Sequence, residues 1–211
     1  VPNAETAVIQ LPDGSTVEMN SGSTIQYNRL FAFTNRSISL NGEAYFFVEK
    51  SEEPFIVEAN GSVVEVTGTE FNVRSWSNDP NSETSVTVTE GQVAFYPKSR
   101  RDMNVSLIAG QTSRLNPEMS APSQPSETST EETLAWRQQR LVFQEAPLIR
   151  ILHDLERSFD VNIELDVADM EYETLTAYYN RPANVETILE DICTVKGLRY
   201  TKTTNGYRIF K

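Results

Sequence analysis

Between Val8 and about Asn116, apolar and polar side chains alternate with a period of two, and glycine-bearing turns break the alternation roughly every 8–12 residues. That rhythm commits the first half of the chain to short strands, each with one buried face. Residues 9–11 run into Pro12-Asp13-Gly14, where proline presets φ and glycine accepts a positive one. Two similar stretches follow, 14–20 and 22–28, eight residues apart, with Val17 and Met19 in one matched by Ile25 and Tyr27 in the other. Eight residues is one strand plus one tight turn, which fits a hairpin ladder or successive rungs of a β-coil. Residues 36–40 alternate again up to Asn41-Gly42, a hairpin signal. The next strand, 43–50, is apolar on both faces and is read as a central one. Strands at 55–59, 62–66, 69–76, 84–89, 92–96 and 105–108 complete the pattern.

Past Trp136 the apolar period becomes 3.6. Pro147 opens a helix whose stripe is Leu148, Ile151, Leu152, Leu155 and Phe159. Asn184 caps a second, striped by Val185, Ile188, Leu189 and Ile192 and stopped at Gly197. Strands at 161–165 and 174–179 lie between the helices, and 198–201 and 207–210 close the chain as a hairpin across Asn205-Gly206. Between the halves, residues 117–134 mix three prolines with Ser, Thr and Glu and carry almost no large apolar side chains. The predicted organisation is a mainly β domain over 1–116, an antiparallel β-sandwich or a short β-solenoid. A linker or mobile loop follows over 117–134, and then a small α+β domain of split βαβ type over 135–211.

Charge narrows the range of functions. The 211 residues carry a net charge of −12, and no Lys/Arg-rich run is present, so neither a phosphate backbone nor an anionic membrane surface is an expected partner. The imbalance sits in front: 8 basic against 18 acidic residues (−10) up to residue 134, and 10 against 12 (−2) beyond it. No apolar run is long enough to cross a membrane.

Catalytic chemistry finds little to work with. The single histidine, His153, falls mid-helix beside the apolar stripe, and the single cysteine, Cys193, falls at the edge of a helix–sheet core. No Gly-x-Ser-x-Gly elbow, zinc-ligand spacing, calcium loop or phosphate-binding glycine loop occurs. Acidic pairs such as Glu43 and Glu49 carry no signal in a chain with 30 acids. Tyr45, Phe47, Trp76 and Tyr96 are the candidates for sugar stacking on a β-face, which makes a carbohydrate-binding β-module the alternative reading. No catalytic residue, cofactor or metal ligand is assigned, and the residues describe a binding or signalling module rather than an enzyme.

Several motifs come in a recognisable order: Leu11-Pro-Asp-Gly-Ser15; Arg36 and then Leu40-Asn-Gly-Glu-Ala-Tyr-Phe-Phe-Val48; Pro54-Phe-Ile-Val57; Val66-Thr-Gly-Thr-Glu-Phe-Asn-Val73; Val88-Thr-Glu-Gly-Gln-Val93; and Ala109-Gly-Gln111. Together they resemble the FecR-type transmembrane anti-sigma regulators. Leu141-Val-Phe143 and Ala146-Pro-Leu148 through Phe159-Asp-Val-Asn-Ile163 are similar to the C-terminal domain that accompanies them in Bacteroidetes-type members. The resemblance implies that 135–211 has the order of a secretin/TonB short N-terminal domain. It also implies a periplasmic location, with an inner-membrane anchor and cytoplasmic anti-sigma helices in the full-length protein. The implied partners are the signalling domain of a TonB-dependent outer-membrane transporter and, through the cytoplasmic part, an extracytoplasmic-function sigma factor. The expected contact is a sheet edge of the small domain: either the strand bearing Thr174, Thr176 and Tyr178, or the last strand, with Tyr207 and Ile209.

Overall fold

The computed structural model describes residues 1–31, 35–180 and 184–211. They divide into two units, Val1–Pro2 with Thr6–Leu134 and Asn3–Glu5 with Ala135–Lys211. The first is mainly β and the second α+β, in line with the change of period.

Along the first unit run β1 (Ala7–Gln10), β2 (Thr16–Met19), β3 (Thr24–Tyr27), β4 (Arg36–Phe47), β5 (Phe55–Ala59), β6 (Ser62–Val66), β7 (Glu70–Ser75), β8 (Thr84–Glu90), β9 (Gln92–Pro97), β10 (Val105–Ile108), β11 (Gln111–Leu115) and β12 (Ser126–Glu127). They form one curled sheet in the order β10-β9-β6-β5-β4-β7-β8-β11-β12, with β2 and β3 also on β4 and β1 on β2. β4 is shared by two half-sheets. Its first half pairs with β3 and, in parallel, with β5; its second half pairs with β2 and β7. The two repeated stretches are therefore consecutive strands laid along the two halves of β4, not partners of each other. Phe46, Phe71 and Val88 from one half-sheet meet Phe55, Phe95 and Leu107 from the other in a single core. Burying each of these phenylalanines stabilises the fold by about 1.5–3 kcal/mol.

The predicted hairpin at Asn41-Gly42 is corrected: the dipeptide lies inside β4. A Cβ on Gly42 would come within 2.5 Å of Ser23 Oγ and 2.7 Å of Ser23 Cα. The Ser23 hydroxyl accepts from Glu43 N and donates to Glu43 O, both at 3.0 Å. Glycine is needed here for close approach at the crossover between half-sheets, not for chain reversal.

Residues 117–134, expected as a linker or mobile loop, are laid onto the first unit. Ser113 Oγ donates to Ser123 O at 2.7 Å, Ser123 N to Arg114 O at 2.8 Å, and β12 pairs with β11. Met119 packs on the core, and a one-turn helix, α1 (Thr130–Thr133), is capped by Ser129. Hydroxyl and backbone hydrogen bonds hold this segment where apolar burial is scarce.

One titration follows from the packing of β9. Tyr96 donates to Glu65 Oε2 at 2.6 Å, and its phenol is pushed up to about 12 by burial first, then by the hydrogen bond to Glu65 and that carboxylate's charge. An unfolded tyrosine ionises near pH 10. The stability contributed by Tyr96 is therefore intact below pH 10 and is lost as the pH rises from 10 towards 12. Urea unfolding at pH 8 and pH 11 should show a smaller alkaline loss for Tyr96→Phe than for the wild type. Equal losses would remove Tyr96 as the source.

The second unit contains β13 (Arg140–Pro147), α2 (Leu148–Phe159), β14 (Asn162–Leu165), β15 (Thr174–Asn180), α3 (Val185–Lys196), β16 (Arg199–Thr203) and β17 (Gly206–Phe210). The order is the predicted one. Asn184 Oδ1 accepts from Thr187 N to start α3, and Gly197 ends it in the left-handed conformation. Leu148, Ile151, Leu152 and Leu155 of α2 pack with Ile188, Leu189 and Ile192 of α3 in a second core. Two sheets complete the unit: β13 with β15, and β14-β17-β16.

Candidate interaction site

In the second unit β15 pairs antiparallel with β13 alone among the described residues, which leaves its other edge without a strand beyond Thr174, whose carbonyl accepts from Lys196 Nζ at 2.8 Å. Its side chains alternate as the sequence predicts. Leu175, Ala177 and Tyr179 pack against the core, while Thr174, Thr176, Tyr178 and Asn180 are exposed. Tyr178 is 58% exposed, a large aromatic standing in water.

The irregularity of this ribbon falls on β13. Gln144 and Glu145 both oppose Thr176, and Glu145 has φ +44°. Thr176 Oγ1 accepts from Glu145 N at 3.0 Å, and Gln144 Nε2 lies 3.4 Å from Tyr178 Oη. β13 absorbs the kink and β15 stays regular over seven residues.

Native edges are usually blunted by charge, proline, bulges or shortness. β16 carries Arg199 and Lys202, β14 has four residues and Glu164, and β13 is bulged and bears Arg140 and Glu145. In the first unit β1, β3 and β10 have four residues each. β15 is regular and its own sequence, Thr-Leu-Thr-Ala-Tyr-Tyr-Asn, has no charge or proline; a charge reaches it at its first residue, where Lys196 Nζ of α3 donates to Thr174 O at 2.8 Å.

The other expected edge is corrected. β17 is the middle strand of its sheet, parallel to β14 on one side and antiparallel to β16 on the other, so its backbone groups are taken up on both sides. Tyr207 is 8% and Ile209 0% exposed, both in the core, and Tyr207 Oη donates to Glu186 at 3.0 Å. The last strand in sequence is inserted between its neighbours in space.

The remaining candidates have structural settings. Tyr45, Trp76 and Tyr96 are 2%, 4% and 6% exposed, so they present no face on which a sugar ring can stack. The Glu43 carboxylate is buried and accepts from Asn20 Nδ2 at 2.9 Å and Asn72 Nδ2 at 3.0 Å, tying β2 and β7 to β4. Cys193 is buried, and that burial pushes its thiol up, away from the thiolate a nucleophile needs. His153 is half-buried on α2, and the described residues contain no cluster of metal-ligating side chains.

Sequence reasoning missed a polar clamp. Arg36 is buried; its Nε donates to Asp13 Oδ2 at 2.8 Å, Nη1 to Glu53 O at 2.9 Å and Nη2 to Glu49 O at 2.7 Å. Asp13 also accepts from Ser15 N and Ser15 Oγ, while Ser15 Oγ accepts from Glu49 N. The guanidinium lies 5.4 Å from the Phe55 ring centroid. The Leu11-Pro-Asp-Gly-Ser15, Arg36 and Pro54-Phe-Ile-Val57 motifs thus converge on one buried cation. A lone arginine at the start of an alternating strand was the only signal.

These motifs and the two-unit architecture match known proteins. Residues 1–94 match the FecR protein family, and residues 140–210 match the FecR C-terminal family. No curated protein matches the chain. Two crystal structures of a protein described as a candidate anti-sigma factor from Parabacteroides distasonis ATCC 8503, at 2.50 and 1.65 Å, are similar to it along its whole length. Both have a TM-score of 0.88 and 27% identity; the match covers 100% of this chain and 96% and 97% of theirs. The chain belongs to the FecR-type anti-sigma factors, a regulatory class. No helix among the described residues is long and apolar enough to cross a membrane.

Proposed function

We propose that this chain is the periplasmic sensing region of a single-pass inner-membrane regulator. It receives a signal from the N-terminal signalling domain of a TonB-dependent outer-membrane transporter. Through the cytoplasmic part typical of such regulators, it then controls an extracytoplasmic-function sigma factor. Neither an enzymatic step nor nucleic-acid contact belongs to this reading. The observation that carries it is the regular β15, whose edge from Leu175 to Asn180 pairs with no strand among the described residues and whose own residues are uncharged, which supports docking by strand addition. Backbone hydrogen bonds would supply affinity there, and the alternate side chains Thr174, Thr176 and Tyr178 specificity. A signalling domain of the same split βαβ type brings strand edges of its own, so two half-open sheets can join.

Calorimetric titration of the full chain with that signalling domain tests the reading. Tyr178→Lys should weaken binding by about 1.5–2 kcal/mol, roughly tenfold to thirtyfold. Because Tyr178 is exposed, its replacement should leave the urea midpoint nearly unchanged. Unchanged affinity with a folded variant would count against the edge, and absence of any binding would count against the partner.

A further inference from the structure

One end of β15 is closed by a single side chain from α3. Leu148 N donates to Glu173 O at 2.8 Å, so the backbone groups that face β13 belong to Glu173 and to every second residue after it. The N–H and C=O of Thr174, Thr176 and Tyr178 therefore face the other edge, where a docking strand pairs. At Thr174 that edge is occupied: Lys196 Nζ donates to Thr174 O at 2.8 Å and pairs with Glu173 Oε2 at 3.2 Å. The lysine side chain is 13% exposed, against 56% for Glu173.

Lys196 stands in the last turn of α3, where a cation favours the helix dipole whichever way its ammonium points. The dipole does not require the ammonium to cross to β15, and an ion pair with so exposed a carboxylate adds little by itself. What this placement accomplishes is edge protection. Lysine is a usual guard of an open strand, and here it comes from a helix rather than from the strand. We propose that Lys196 is a register stop for the strand that docks on β15. This role as a specificity-determining residue rests on the reading of that edge as the receiver of the transporter signalling domain. The first backbone groups open to the incoming strand are then those of Thr176, followed by those of Tyr178. A strand that ran on over Thr174 would expel the ammonium from the carbonyl and leave it, largely buried, with Glu173 alone. The edge thus takes a short strand, about six residues or 20 Å, and rejects longer or shifted ones. Because the side-chain period is two, a slip of one residue also turns over the partner's faces. Fixing one end therefore fixes which side chains meet Thr176 and Tyr178.

Residue-by-residue amide exchange and calorimetric titration of the full chain with the signalling domain test this role. In the wild-type complex the Thr176 and Tyr178 amides should slow, while the Thr174 amide keeps its free-chain rate. Lys196→Met keeps the aliphatic stem and removes the charge. It should add Thr174 to the protected amides and tighten binding about fivefold, the gain from one more backbone bond. Lys196→Arg should retain the wild-type pattern, since a guanidinium can donate to the same carbonyl. A lysine that only steadied α3 would do the opposite, and its removal would weaken the complex. Protection of Thr174 in the wild-type complex overturns the proposal. So does a Lys196→Met complex in which Thr174 stays unprotected or the affinity does not rise. In each of these cases the domain still binds along β15, and the receiver reading stands. Protection confined to another edge, or no binding by the folded chain, defeats the receiver reading and the register stop with it.

Discussion

Replacing Arg36 with methionine is expected to remove about 3–5 kcal/mol of folding stability, because it leaves a buried carboxylate without its cation. Asp13 Oδ2 loses its cation at 2.8 Å and keeps only the Ser15 hydroxyl, and the Glu49 and Glu53 carbonyls lose donors at 2.7 and 2.9 Å. Methionine restores the packing against Phe55 but none of these bonds. With typical stabilities of about 5–15 kcal/mol, such a loss is a large share of the total. Urea unfolding followed by circular dichroism would measure it. Asp13→Asn in the Arg36→Met background should recover part of the deficit, since the orphaned charge is then gone. A loss below about 1 kcal/mol would mean that water replaces the guanidinium and that the clamp is not a stability element.

Gly206→Ala is expected to be comparably severe, at about 3 kcal/mol or more, in the second unit. A Cβ at this position would fall on the Asn162 carbonyl oxygen and lie 2.8 Å from the Asn162 carbonyl carbon and nitrogen. All three are backbone atoms, so no flexible side chain can move aside. Gly206 is directly paired with Asn162 where β17 begins its parallel run beside β14. Relief requires the two strands to separate, which disrupts the sheet beneath Ile163, Tyr207 and Ile209. Amide hydrogen exchange should accelerate in β14 and β17, and thermal unfolding should shift down. Unaltered exchange at residues 162–165 would show that the backbone accommodates the methyl group.

Much of the fold was legible because side-chain period reports burial directly. The alternation at Phe55, Val57 and Ala59, and the helical stripe Leu148, Ile151, Leu152 and Leu155, each mark the face that enters a core. What misled was punctuation. Asn41-Gly42 has the composition of a type I′ turn, yet close approach to Ser23 makes the same demand for glycine. Local sequence cannot separate the two demands, because Ser23 lies 19 positions away. The position of β17 was hidden for a related reason. Pairing order in a sheet is long-range information, and the alternation of Tyr207 and Ile209 is the same for an edge strand and a central one. Residues 117–134 are poor in apolar side chains, and what holds them, hydrogen bonds to Ser123 and the pairing of β12, leaves no periodic pattern in sequence.

The candidate site divides along the same line. Alternation placed Thr174, Thr176 and Tyr178 on one face, and the structure puts that face in solvent. That β15 joins length to a regular backbone and uncharged residues, while β13 is bulged and β14 and β16 bear charges, is a property of the assembled sheets and not of local sequence. The Arg36 clamp shows the converse. Family motifs read as turn chemistry turn out to be partners of one buried cation, brought together from residues 13, 15, 36, 49 and 53.

The most direct test of the central claim is amide hydrogen exchange on the full chain, with and without a saturating amount of the transporter signalling domain. Strand addition at β15 predicts new protection concentrated at residues 175–180, with β16 and β14 unchanged. Protection centred on another edge, or on the first unit, would contradict the assignment of β15 as the receiving strand.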